Sequence, residues 1–180
     1  MTARRALRAG FPLVNDHPDV AGLLARPELL ALLGPTLALP FAAADVTVVC
    51  APEARGPVIG ALVAVELGAG LVIVRKADRN HPGADVEVTS APTWRGSAEV
   101  FQSRSWDLTP DDRVLVVDDW VTTGSSIRAM KQLVELSGAT YVGASVLVDK
   151  ADFDTIDELA VVAAVPFVDL VSDTGSAGSP

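Results

Sequence analysis

The chain has 180 residues, 49% of them hydrophobic, with 14 basic against 23 acidic side chains and a formal net charge of −9. That length suits one domain with a real core, and the acidic balance argues against nonspecific nucleic-acid binding through a basic face. One cysteine, Cys50, excludes an internal disulfide framework, and two histidines far apart from it leave no zinc-ligand pattern.

The start, Met1 to Arg8, is basic but no apolar signal core follows, and no apolar run reaches spanning length, so a cytoplasmic protein is expected. Ala21 to Leu39 carries Leu and Ala at helical intervals, with Pro27 and Pro35 expected to break it into short helices. Val46 to Cys50 reads as a buried strand closed by Ala51 and Pro52. Pro57 to Leu67 follows as a helix stopped at Gly68-Ala69-Gly70, and Leu71 to Val74 as a strand ending in Arg75 and Lys76. Ala77 to Pro110 is polar and broken, with Val86 to Thr89 its one strand candidate; so long an irregular stretch predicts a lid or an extended hairpin. Val114 to Val117 is continuous and β-branched, the signature of a buried parallel strand. After it come a helix beyond Ser126, a strand from Tyr141 to Val148 and an apolar run from Val161 to Val171. Ser172 to Pro180 reads as a disordered tail. The alternation predicts an α/β fold, a mainly parallel sheet with helices on both faces, as a single domain over residues 1–171.

Such sheets bind ligands at the carboxyl ends of their strands. Three of these ends are polar or charged: Ala51 to Gly56, Arg75 with Lys76, and Asp118 to Ser126. The third says most. Its strand runs into Asp118 and Asp119, then Trp120 and Val121, then the small-residue turn Thr122-Thr123-Gly124-Ser125-Ser126, before helical spacing resumes at Ile127. A loop between a strand end and a helix start presents free N–H groups and a positive dipole, which suits an anion. Two carboxylates beside it repel an anion unless they hold sugar hydroxyls or a divalent metal. A phosphate next to a polyol satisfies both halves. The plain alternative is a core strand ending in an Asx turn and helix cap. A nucleotide-triphosphatase reading fails, because no Gly-x-x-x-x-Gly-Lys-Ser/Thr occurs in the chain.

Val116 to Ser126, Val-Val-Asp-Asp-Trp-Val-Thr-Thr-Gly-Ser-Ser, resembles the phosphoribosyl pyrophosphate motif of type I phosphoribosyltransferases. The resemblance implies that family's fold, with a flexible lid over about 77–110 and a small hood. It implies that Asp118 and Asp119 contact the ribose hydroxyls, while Val121, Thr122, Thr123, Gly124, Ser125 and Ser126 wrap the 5′-phosphate. Glu53, Arg55 and Gly56 match the Glu-x-Arg-Gly of the adenine branch, which implies a pyrophosphate loop. There Arg55 offers a fork for phosphate oxygens and Gly56 lets the backbone approach closely. Arg75 and Lys76 would lie near the pyrophosphate, and Arg79 would replace a basic lid residue; an ordinary surface Glu–Arg pair and a solvated Arg79 are the bland alternatives.

The implied reaction transfers the 5-phosphoribosyl group to a purine base, adenine-like, releasing pyrophosphate and a nucleoside monophosphate, as in purine salvage. Mg2+ would arrive with the donor, helped through water by Asp118 or Asp119 and with no direct protein ligand. The implied partners are the donor, a nucleobase and a second copy of the chain in a homodimer, with neither nucleic acid nor membrane. A non-catalytic sensor of the donor, or an enzyme for another base, stay open as alternatives.

The base end departs from the branch. Where the family has Phe-Arg-Asp-Ile-Thr, this chain has His17 and Pro18, and His17 reads as a surface loop residue. In the family's Tyr-Gly-Thr-x-x-Leu-Glu lid pattern the tyrosine position falls at Gly96 and the proton-handling glutamate at Gln102. Glutamine is no general acid or base near neutral pH. Glu99, three residues earlier, substitutes for it if the lid register shifts. Trp94, Phe101 and Trp106 could cover a planar base or anchor the loop to the body. Asp149 and Lys150 could meet the base or form a simple strand-end salt bridge, the second being favoured.

Overall fold

The computed structural model describes residues 2–79, 81–92 and 96–171. Its centre is a set of five parallel strands, β3 (Val48–Pro52), β4 (Gly70–Lys76), β7 (Arg113–Val121), β8 (Thr140–Asp149) and β9 (Val161–Pro166). They lie in the order β4-β3-β7-β8-β9. The apolar runs read from sequence are these strands, and they are continuous because both sheet faces are covered.

Alternate residues serve the two faces. Leu115 and Val117 pack with Leu33 and Leu37 of α3 (Pro27–Ala38) and with Ile59 and Val63 of α4 (Gly56–Leu67). Val114 and Val116 pack with Ile127, Met130 and Leu133 of α5 (Ser125–Leu136) on the opposite side. Each fully buried aliphatic side chain contributes about 1.5–3 kcal/mol by leaving water. The short α1 (Ala3–Gly10) adds Leu7 to the first face, and α6 (Phe153–Glu158) leads into β9.

The chain steps from β3 outward to β4, then returns to lay β7 against the other side of β3. The strand order therefore reverses between β3 and β7, and the loops leaving their carboxyl ends diverge there. That crevice is where an open α/β sheet holds a ligand.

Several elements differ from the sequence expectation. Pro35 does not break its helix: α3 runs through it to Ala38. A proline this near the end costs few backbone bonds, and the turn it occupies is fastened by burial of Leu33 and Leu37. At Gly34 a Cβ would come within 2.9 Å of the Leu62 carbonyl of α4, so close helix packing holds the segment. The Val114 strand extends to Val121, carrying Asp118 and Asp119 inside its ladder with β8. Within 77–110 the two described strands form an extended antiparallel arm: β5 (Val86–Thr89) pairs with β6 (Val100–Ser103), which pairs antiparallel with β4. The run Val161 to Val171 divides into β9 and α7 (Phe167–Val171). A two-residue pairing of β1 (Leu13–Val14) with β2 (His17–Pro18) and a five-residue α2 (Val20–Leu24) precede α3. The expected tail, 172–180, and Trp94 lie outside the described residues. No described helix is long and apolar enough to cross a membrane.

Candidate active site

The acid pair sits at the crevice. Asp119 is 8% exposed and Asp118 partly exposed, with the Asp119 N–H donating to Asp118 Oδ1 at 2.8 Å. Enclosure, then the adjoining Asp119 carboxylate, hold the Asp118 carboxyl well above the usual carboxylate range, against smaller pulls from the Asp119 N–H and Arg55. Gly56 opens α4 directly beside it: a Cβ there would lie 3.2 Å from Asp118 Oδ1 and 3.2 Å from the Val117 carbonyl. Glycine is what lets the helix start approach the acid so closely.

The loop after β3 faces the pair. The Arg55 Nε donates to Asp119 Oδ2 in a short contact. The Glu53 carboxylate ties the same loop to β4, accepting the Lys76 N–H at 2.8 Å and lying 3.5 Å from Arg75 Nε. The Lys76 ammonium in turn meets Glu99 at 3.1 Å, on the residue that precedes β6. Each of the three cations expected to meet pyrophosphate thus stands beside a carboxylate. The Glu53–Ala54 peptide is cis.

The turn after β7 is shaped as an anion cradle. Gly124 adopts φ +73° and serves as the cap of α5 without a capping side chain of its own, while Thr123 Oγ1 accepts the Ser125 N–H at 3.4 Å. Thr123 Oγ1 donates to Ser125 Oγ at 3.0 Å, and the Val121 carbonyl accepts the Lys150 N–H at 2.9 Å, which fixes the turn at both ends. Arg128, which by sequence is simply part of a helix, reaches back to the Thr123 carbonyl at 2.6 Å. Its place four residues after Gly124, one helical turn on, is the signal that could have found it.

Other expected residues lie elsewhere. Arg79 stands 63% exposed beside its own neighbour Asp78 at 3.6 Å. Gln102 donates to Glu87 Oε1 at 2.5 Å across the hairpin. Phe101 is buried with Val74 and Val88 in the core, so it anchors the hairpin and does not cover a base. Trp106 is 62% exposed, with the Arg104 guanidinium 5.7 Å from its ring. His17 is exposed, as expected, but in the β2 pairing with Val14. The expected Asp149–Lys150 bridge is not among the ion pairs of the described residues. Lys150 lies instead 4.5 Å from the Phe167 ring, where its stem and charge both find a partner, and Phe167 also meets Trp120 at 5.7 Å. Burial and the Asp169 charge raise the Asp149 pKa.

A model of the phosphoribosyl transferase domain matches residues 40–158. The chain belongs to the phosphoribosyltransferase family. Within it this phosphoribosyltransferase falls in the adenine-like branch. It is 40% identical to the adenine phosphoribosyltransferase of Streptomyces clavuligerus over 143 residues, covering 76% of this chain and 79% of that protein. It is 36% identical to the one from Thermobifida fusca over 156 residues, covering 83% and 87%. The solved adenine phosphoribosyltransferase of Rhodothermus marinus matches with a TM-score of 0.79 at 27% identity, over 91% of this chain and 98% of that one. The Giardia lamblia enzyme complexed with 9-deazaadenine has the same fold, with a TM-score of 0.79 at 21% identity over 92% and 98%. The type I fold and the phosphoribosyl-transfer activity expected from Asp118, Asp119 and their loop are those of this enzyme.

Proposed function

We propose that this phosphoribosyltransferase takes phosphoribosyl pyrophosphate as donor and a purine base, adenine first, as acceptor, in purine salvage. The bond from the anomeric carbon to the pyrophosphate oxygen breaks, and a bond from that carbon to the base nitrogen forms. The proton on that nitrogen passes to a protein or solvent base, and pyrophosphate leaves with its electron pair. The transition state has oxocarbenium character, so the protein must hold the ribose and stabilise departing negative charge.

Asp118 and Asp119 accept the ribose 2′- and 3′-hydroxyl protons as hydrogen bonds. The turn from Val121 to Ser126 wraps the 5′-phosphate with its amides and hydroxyls. Glu53 and Gly56 shape the pyrophosphate loop, in which Arg55, Arg75 and Lys76 exchange their carboxylate partners for pyrophosphate oxygens, with Arg79 at the outer rim. Glu99 is placed on the hairpin, where it accepts the base proton in place of the glutamine at 102. Magnesium enters with the donor. The two acids are hard oxygen donors, which suits an ion carried by the substrate and reached through water. The hairpin, over about 77–110, acts as the lid that keeps water from the activated sugar. We assign the enzyme to the cytoplasm as a homodimer, for which Val58 and Val65 of α4, 49% and 82% exposed, offer apolar surface.

The observation that carries this reading is the Arg55–Asp119 contact across the β3–β7 crevice, beside a glycine-capped anion turn. A panel of nucleobases incubated with donor and magnesium, assayed for released pyrophosphate, tests it. Release with adenine is the expected result. Donor binding without release for any base favours the sensor reading, which the glutamine at 102 in the lid supports.

A further inference from the structure

Behind the anion turn, away from the acids, α6 is pressed against the loop by contacts that no ligand explains. The Arg128 guanidinium donates to both carboxylate oxygens of Glu158, at 2.9 and 3.2 Å from Nε and 2.5 Å from Nη2. The same group reaches the Thr123 carbonyl at 2.6 Å through Nη1 and Thr155 Oγ1 at 3.4 Å through Nη2. Thr155 is itself buried and capped, its N–H donating to Asp152 Oδ1 at 2.8 Å. At Gly124 a Cβ would come within 2.7 Å of Thr155 Cγ2 and 2.8 Å of Leu159 Cδ1, so α6 lies flat on the glycine.

The consequence follows from peptide geometry. Across a planar trans peptide the C=O and N–H point in opposite directions. Drawing the Thr123 oxygen toward Arg128 and α6 turns the Gly124 N–H the other way, away from α6. Released, that carbonyl could rotate to face the cradle, and an oxygen there would repel phosphate. Glu158 fixes the guanidinium plane so that its remaining N–H can hold the carbonyl, a job that needs a rigid fork rather than a charge.

We propose that Arg128 and Glu158 are positioning residues that set the orientation of the Thr123–Gly124 peptide and thereby the affinity of the loop for the donor's 5′-phosphate. The inference rests on the reading of residues 121–126 as the phosphate loop. Its ion pair is partly exposed, 36% for Arg128 and 50% for Glu158, so the effect is one of orientation more than of stability.

The test is titration calorimetry of the full chain with ribose 5-phosphate and with phosphoribosyl pyrophosphate plus magnesium. Wild type that binds neither ligand sinks the loop assignment itself, before the brace comes into question. Given wild-type binding, Arg128→Ala is expected to weaken both ligands by roughly tenfold to a hundredfold, the scale of a misplaced binding group. Donor KM rises correspondingly, while kcat at saturating donor stays within about twofold. Glu158→Gln discriminates by sign. Removing a negative charge near an anion site should tighten phosphate if only Coulomb attraction matters, whereas loss of the brace should loosen it. Tighter or unchanged binding in Glu158→Gln overturns the proposal, as does full recovery in Arg128→Lys, which keeps the charge and loses the fork. Hydrogen exchange of the amides of residues 122–126, faster in both weakened variants, reads the orientation directly. Should Arg128→Ala fail to fold, Glu158→Gln, altered at a half-exposed carboxylate, decides between the two outcomes alone.

Discussion

Arg55 donates to Asp119 across the crevice between β3 and β7, so an ion pair joins the two loops that flank the candidate site. The Arg55 side chain is 53% exposed and that of Asp119 11%, and the exposed guanidinium limits the pair to about 1 kcal/mol. A polyanion can displace it cheaply. Arg55→Ala is therefore expected to raise donor KM by tenfold or more through loss of a charge-assisted fork, with little change in melting temperature. Steady-state kinetics and a thermal melt on the same preparation check both halves.

The acid pair carries a stability burden whose sign is fixed. Burial and Asp119 raise the Asp118 pKa in the folded protein. The folded state then binds more protons than the unfolded one, and stability falls as pH rises from about 4, the unfolded carboxylate value, through the raised folded value. Asp118→Asn removes that loss. It should melt higher than wild type at pH 7, converge with it in acid, and lose donor binding together with Asp119→Asn. Calorimetric melts across pH, with donor titrations of the double variant, decide it. A lower melting temperature at neutral pH would contradict the assignment.

Gly124→Ala forces a side chain into φ +73° and within 2.7 Å of Thr155. Left-handed backbone costs an ordinary residue about 1–2 kcal/mol before any clash. The variant is expected to melt several degrees lower and to bind ribose 5-phosphate poorly, measured by thermal shift and calorimetry.

Glu99 is held by Lys76 at 3.1 Å, a cation assigned to pyrophosphate. Glu99→Gln should drop kcat by about 10²–10⁴, the contribution of a positioned proton acceptor, while donor affinity holds or improves as Lys76 is freed. Unchanged turnover removes Glu99 from the chemistry.

Cys50 is fully buried in β3, and desolvation pushes its thiol up to about 12. The native enzyme should resist thiol reagents that label it after unfolding, which a colorimetric thiol assay can follow.

The parallel strands were legible because burial on both faces demands unbroken aliphatic runs such as Val114 to Val117. The Gly124 turn was legible because few residues take its backbone angle. The segments that escaped have weak periodicity. α1 buries only Leu7, β6 has two apolar residues followed by two polar ones and buries Phe101 with Ser103, and the acidic α6 is six residues long. Their placement depends on partners distant in sequence, and so did the role of Arg128, which needs Glu158 to be seen. The Asp149–Lys150 expectation failed for the same reason, since Phe167 is the better neighbour for the lysine.

The ladder that joins β4, β6 and β5 sets Arg75 opposite Gln102 and Gln102 opposite Glu87, with Lys76 opposite Phe101. Inserting or deleting one residue within 100–103 would swap its two faces, lifting Phe101 out of the core and carrying Glu99 away from Lys76. Length changes between Ser90 and Glu99, whose backbones are themselves paired, leave that register intact. The arm can therefore be resized between its two strands, but not within them, without disturbing the register behind it.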